Sequence, residues 1–345
     1  MSVFATAIAG EFPESAESFF SVAASFLKEL DQFFVDQQDE FELELRELVE
    51  YALSHSGKRL RPISLYLTGM DEDGKSNPGM VRAAAVVEMV HLATLVHDDI
   101  LDEAELRHKQ ETVSRKYGIP AAVLLGDALF AQALQLASGF ETTEVCRLVS
   151  EATRKVCAGE IEQTLEGGSG DDEVRRYFRI IERKTAILFE VSCRLGGLLG
   201  RPGPEMAVTA GDFGRHLGLA YQIYDDLVDV IGSESVIGKT LGTDFASGKR
   251  TLPFLLLFQS MEETEREGIY GRFAQSGALP DGIDLGKLID DHGVVEKVGV
   301  YFSEEIQKAK AAATLLNGGE AGGGLYEMAA FVERRFWGLV RPEEG

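Results

Sequence analysis

With 345 residues, 45% of them apolar, and a mean hydropathy near zero, the chain carries enough apolar material for a sizeable core, which excludes a disordered polypeptide. A formal net charge of −23 repels a phosphate backbone, so nucleic acid is excluded as a partner unless a basic face is concentrated in one place. Cys146, Cys157 and Cys193 show no C-x-x-C spacing, which excludes a zinc knuckle or disulfide framework and suits a reducing cytoplasm.

The start, MSVFATAIAGEFPESAESFF, lacks a basic stretch and turns acidic, unlike a signal peptide. From 11 to 51 apolar residues such as Phe19, Phe26 and Leu30 recur among acids at helical spacing, which predicts two amphipathic helices. GKRLRP (57–62) is a basic junction ahead of an apolar helix that ends near Met70, and a polar loop follows over 71–79. Helical rhythm then runs over 81–102, 121–139, 143–165, 171–199 and 206–231. Between 232 and 253 it fails; Gly238, Gly242 and Gly248 alternate with Lys239, Lys249 and Arg250, which predicts a phosphate-facing loop. Glycine-rich stretches at 277–286 and 318–324 bracket two further helices. No strand is predicted, and no run of about 18 uncharged apolar residues marks a transmembrane segment. The expectation is an all-α single domain spanning 1–345, a helical bundle around a central cavity, with 1–10 and 336–345 as loose ends.

Two carboxylate clusters close apolar helix faces. In HDDILD, Asp98 and Asp102 are one helical turn apart and can offer oxygens to one hard cation, while Asp99 lies about 100° round the helix. YDDLVD repeats the pattern with Asp225, Asp226 and Asp229. A single D-D-x-x-D in an acidic chain reads equally well as a solvated helix end; two copies argue for bound metal, and Mg2+ suits oxygen ligands shared with phosphates. Lys58, Arg59, Arg61, Arg107, Lys184, Lys239 and Lys249 supply cations suited to diphosphates, by arginine fork or lysine point charge. His91 lies close to two turns before Asp98, on the same face; alone it also reads as a hydrogen-bonded core histidine.

GKRLRP, EMVHLATLVHDDILDEAELR, GDALFAQAL, AGEIEQ, RKTAILF, YQIYDDLVD and GKTLGTDFASGKRTLP resemble, in order, the signature blocks of the trans-polyprenyl diphosphate synthases, which have the isoprenoid synthase fold. The resemblance implies that Lys58, Arg61 and His91 bind isopentenyl diphosphate. It implies that Asp98, Asp102 and Asp225 bind Mg2+, with Asp99, Asp226 and Asp229 in support, and that Arg107, Lys184, Thr185, Gln222, Lys239 and Lys249 hold the allylic diphosphate. Of these, Asp98, Asp99, Asp102, Lys184, Asp225, Asp226 and Lys239 form the implied catalytic set. The chain departs from the family pattern at Arg107-His108-Lys109, where a second arginine is usual, so His108 is expected to contact isopentenyl diphosphate more weakly. It departs again at Ser56-Gly57, where two glycines are usual.

In short-product relatives bulky aromatics precede the first aspartate by four or five residues. Ala93 and Thr94 stand there in this chain, which implies an open channel and a long-chain all-trans product, with Phe130 as a deeper floor. A geranylgeranyl or farnesyl product is the alternative. A class I terpene cyclase, a noncatalytic partner subunit and a solvated acidic scaffold fit less well, because both aspartate motifs and the basic clusters are intact. A homodimer releasing a greasy product at the membrane surface is expected.

Overall fold

The computed structural model describes residues 17–54, 57–107, 110–165, 172–200, 203–232, 249–276, 285–319 and 323–340. In chain order the first elements are α1 (Glu17–Gln38), α2 (Leu43–Ser54), α3 (Leu60–Gly69), α4 (Pro78–Leu101), β1 (Leu106–Arg107), β2 (Gln110–Glu111), α5 (Val113–Tyr117), α6 (Ile119–Ser138) and α7 (Glu144–Leu165). A second group follows: α8 (Glu173–Ile181), a π-helical turn (Glu182–Ala186), α9 (Ile187–Gly200), α10 (Pro204–Ile231), α11 (Leu252–Ser260), α12 (Glu263–Ser276), α13 (Leu285–Asp291), α14 (Val294–Leu316) and α15 (Gly323–Val340).

Local chemistry sets these boundaries. The Asn77 side chain accepts from the Met80 amide at 3.1 Å and Pro78 occupies the first turn of α4, a start that needs no donor from proline. Thr112 caps α5 through the Arg115 amide, and Asp172 caps α8 through the Arg175 amide. Helix α4 is apolar nearly all round, so it lies inside the bundle, packed against α1, α3, α6, α7 and α9. Helices α9 and α10 pack together, and α14 covers the other side of α10. At the crossing of α3 and α9 a Cβ on Gly196 would stand 2.1 Å from the Leu65 carbonyl oxygen, so the two backbones meet through glycine.

Three expectations are corrected. The segment 171–199 is not one helix, because the π turn interrupts it. A two-residue antiparallel hairpin, β1 with β2, is too short to leave an alternating pattern in the sequence. Helix α15 runs on to Val340 with Phe336 fully buried against Phe302 at 3.9 Å between ring centroids, so 336–340 is no loose end. Helices α4 and α6 are, by length and composition, apolar enough to cross a membrane. Arg82, Glu88 and Asp127 interrupt them without offsetting their hydropathy, and 72% of the α4 span but 39% of the α6 span is buried within the bundle.

Candidate active site

Asp98, Asp99 and Asp102 close the C-terminal end of α4. Beyond them the chain turns at Glu103, with φ 50°, and enters the β1–β2 hairpin, which folds Arg107 back over the helix end. Its guanidinium grips Asp99 from two nitrogens: Nε donates to Oδ1 at 2.9 Å and to Oδ2 at 3.2 Å, and a terminal nitrogen donates to Oδ1 at 2.7 Å. Asp99 is buried, and this bidentate pair is what offsets its desolvation. Asp98 and Asp102 face another way. Asp98 stands 4.0 Å from Lys184 Nζ, and Asp102 accepts from Lys249 Nζ at 2.9 Å.

The opposite wall is α10, which carries the second motif. Asp226 accepts from the Tyr177 hydroxyl at 2.6 Å and from Gln222 Nε2 at 2.7 Å, while the Thr185 hydroxyl donates to Gln222 Oε1 at 2.7 Å. Lys184 and Thr185 are therefore adjacent residues of the π turn that reach opposite motifs, the lysine to Asp98 and the threonine, through Gln222, to Asp226. A π turn widens the helix locally and re-aims its side chains, a device common at functional sites. Lys184 also donates to Gln163 at 3.0 Å and pairs with Glu160, both from α7. Asp225 is half-buried and Asp229 fully buried.

Below this mouth lie the basic junction and His91. The Arg61 guanidinium stacks 4.6 Å from the centre of the Phe189 ring, and its Nε is buried without a hydrogen-bond partner among the described residues. Its carbonyl accepts from the Ser64 and Ser192 hydroxyls, which fixes the turn on α9. Lys58 is half-buried. Burial, and then the charges of Arg61 and Arg107, hold the His91 pKa well below the ordinary histidine value. His91 is thus neutral at pH 7 and offers one N–H rather than a charge.

Asp98 moves the other way. Burial raises its carboxyl to about 6; Lys184 and Arg107 pull it down, while Glu160 and Asp102 push it up. It is a carboxylate short of positive charge, and a hard cation would supply that charge. Among the described residues no three aspartate, glutamate, histidine or cysteine side chains converge closely enough to hold a metal unaided. The donor set fits a cation of the magnesium kind, which takes one or two carboxylates and completes its shell with water and phosphate oxygens.

In the chain-length positions, Ala93 is fully buried and the Thr94 hydroxyl bonds back to the His91 carbonyl at 2.6 Å. Arg82 meets Gly139, and the ring of His97 lies where a Cβ on Gly126 would be, so α4 and α6 run antiparallel. Phe130 of α6 stands 5.8 Å from the His97 ring of α4. Two open surface grooves, one between α14 and α15 and one beside Arg82 and Phe140, touch no aspartate of either motif.

Lys239, His108 and most of the glycine-lysine loop lie outside the described residues, whereas Lys249 is brought to Asp102. The sequence reading assigned no role to Tyr177, Glu160 or Gln163. The last two stand in AGEIEQ, a block whose acids have no partner near them in the sequence; Tyr177 leaves no signal beyond its helix.

Residues 42–279 match the sequence model of the polyprenyl synthetase family. Heptaprenyl diphosphate synthase component 2 of Bacillus subtilis is 31% identical over 327 residues, covering 92% of this chain and 91% of the relative. Octaprenyl diphosphate synthase of Escherichia coli is 36% identical over 211 residues, covering 61% of this chain and 65% of the relative. A polyprenyl synthase from Caulobacter crescentus, solved with calcium and isoprenyl diphosphate, superimposes with a TM-score of 0.82 at 28% identity, covering 93% of this chain and 98% of that one. The aspartate-closed helix ends, the π turn between them and these likenesses agree: the chain belongs to the polyprenyl synthetase family, whose members are prenyl-transferring enzymes.

Proposed function

We propose that the protein condenses an allylic diphosphate with isopentenyl diphosphate, repeatedly, to give a long-chain all-trans polyprenyl diphosphate. The observation that carries this reading is the π turn, from which Lys184 and Thr185 reach the two aspartate motifs at once. Arg107, Lys184 and Lys249 surround the position of the departing diphosphate with fixed positive charge, which stabilises the anion as the allylic C–O bond breaks. Asp98, Asp102 and Asp225 would hold Mg2+, which would supply Lewis-acid neutralisation of the same charge. Asp99 and Asp226 orient Arg107 and Gln222, and buried Asp229 supports the second motif from within. Lys58, Arg61 and neutral His91 hold isopentenyl diphosphate so that its alkene meets the allylic cation, a new C–C bond forms, and a proton leaves to the released diphosphate. Apolar walls around Ala93 keep water from the cation. The B. subtilis and E. coli relatives, named for seven- and eight-unit products, and the small side chain at Ala93 support a long product.

Assembly belongs to the same reading. Ile119, Val123, Leu124 and Leu134 expose large apolar side chains along α6, a face suited to a second copy of the chain. The B. subtilis relative is named as one component of its synthase, so a heteromer is the second reading. One preparation tests both: the pure chain is given Mg2+, farnesyl diphosphate and labelled isopentenyl diphosphate, products are resolved by length, and mass is measured by light scattering. Elongation by a dimer supports the proposal. Cyclised hydrocarbon points to a terpene cyclase, and an inert chain that elongates only with a second polypeptide points to the heteromer.

A further inference from the structure

Arg59 stands inside GKRLRP, between Lys58 and Arg61, and three observations set it apart. Its backbone is left-handed, at φ 54° and ψ 31°, a conformation that costs a non-glycine residue energy and persists only where the surroundings impose it. Its side chain is 5% exposed, an unusual place for a charge. Elements from elsewhere in the fold hold it there: Asp31 of α1 at 3.4 Å, Glu88 of α4 at 3.9 Å, and the ring of Phe34 4.9 Å below the guanidinium.

Placement gives this cluster its meaning. The Arg59 carbonyl accepts from the Ile63 amide at 3.0 Å and starts α3, so whatever fixes Arg59 also fixes the directions in which Lys58 and Arg61 leave the chain. Glu88 lies three residues before His91 on the same face of α4, and its charge reaches Arg61 as well. A buried ion pair is weak evidence for stability, since apolar replacements of similar volume fold as well; what it fixes is direction.

We propose that Arg59, tethered by Glu88 and Asp31, is a positioning residue that locks the junction in the geometry by which Lys58 and Arg61 hold the isopentenyl diphosphate. The inference rests on the reading of Lys58, Arg61 and His91 as that substrate's site. It predicts a substrate-selective defect: loosening the tether misplaces two cations serving one diphosphate and leaves the groups at the aspartate motifs alone.

Steady-state kinetics of the full chain, with each substrate varied separately, tests it. Arg59→Gly keeps the left-handed backbone without strain and removes the tether. The expected result is a KM for isopentenyl diphosphate raised about tenfold or more, with kcat at saturation and the KM for the allylic diphosphate near wild type. Arg59→Lys recovers part of the loss, and Glu88→Gln, which keeps shape and removes charge, shifts the same KM in the same direction. An unchanged KM in Arg59→Gly, or equal rises for both substrates, overturns the proposal. Should that variant not fold, Glu88→Gln decides, and its silence overturns the proposal too. Arg61→Ala is measured in parallel. If it leaves the KM for isopentenyl diphosphate unmoved, the site reading beneath the inference fails; if it moves that KM while Arg59→Gly and Glu88→Gln do not, the tether alone fails.

Discussion

Lys184 and Ala93 show how much single side chains decide here. Lys184 meets Asp98, Glu160 and Gln163, and in the proposed reaction its charge neutralises that of the departing diphosphate. Lys184→Ala is expected to lower kcat by about 10²- to 10³-fold, the usual cost of removing one preorganised charge or donor, while the folded protein keeps its circular dichroism. Rapid-quench turnover with farnesyl diphosphate checks this. Ala93→Phe is expected to block the channel and shorten the product, read by chromatography of the hydrolysed prenyl alcohols; an unchanged product distribution would remove the channel from the account. The aspartates were legible because carboxylates a turn apart, closing an apolar face, repeat twice. The partners were less so: nothing local to Tyr177 or Glu160 announces a contact made across tens of residues.

Among the elements, the long helices α6, α7 and α10 were readable from periodicity, because each buries one broad face, whereas α4, apolar nearly all round, shows in the sequence as a long apolar run. The π turn was not, since RKTAILF reads as ordinary helix and the extra residue shows only in backbone hydrogen bonding. The β1–β2 hairpin was missed for the opposite reason, being too short to have a period, yet it is what carries Arg107 to Asp99. The α3–α9 crossing yields a further prediction. Gly196→Ala would drive a Cβ into the Leu65 carbonyl, which cannot rotate away, so the helices must part. We expect a loss of about 1–3 kcal/mol, measured as a shift in urea midpoint. Because α3 begins at the basic junction, the KM for isopentenyl diphosphate should rise with it.

At the scale of the whole molecule, a long-range hydrogen bond ties α10 to α14: His216 Nδ1 meets Glu305 Oε2 at 2.6 Å, and Lys308 donates to the same carboxylate. Burial alone would raise the Glu305 pKa, but the hydrogen bonds from His216 and Lys308 outweigh it and hold the group below the ordinary value of 4.5. A carboxyl depressed in the folded state adds stability above its unfolded pKa, and that contribution fades as pH falls through the folded value. Glu305→Gln should therefore be less stable than wild type at pH 7 and lose less on acidification below about 4.3, checked by denaturant midpoints across that range. Whole-fold architecture was visible in the sequence as an absence of alternation, whereas which helices touch, and which apolar helix lies inside, had to come from packing.

His91, Ala93 and Asp98 stand on one unbroken rod, α4, which Asp102 caps. A rod cannot stretch, so the span from the place of bond formation to any obstruction further down it is counted in whole turns of ~5.4 Å, close to the reach of one five-carbon unit. In the proposed synthase, product size becomes an integer set by a ruler, and evolution can add or subtract a unit by changing which rung is bulky without disturbing the chemistry at the top.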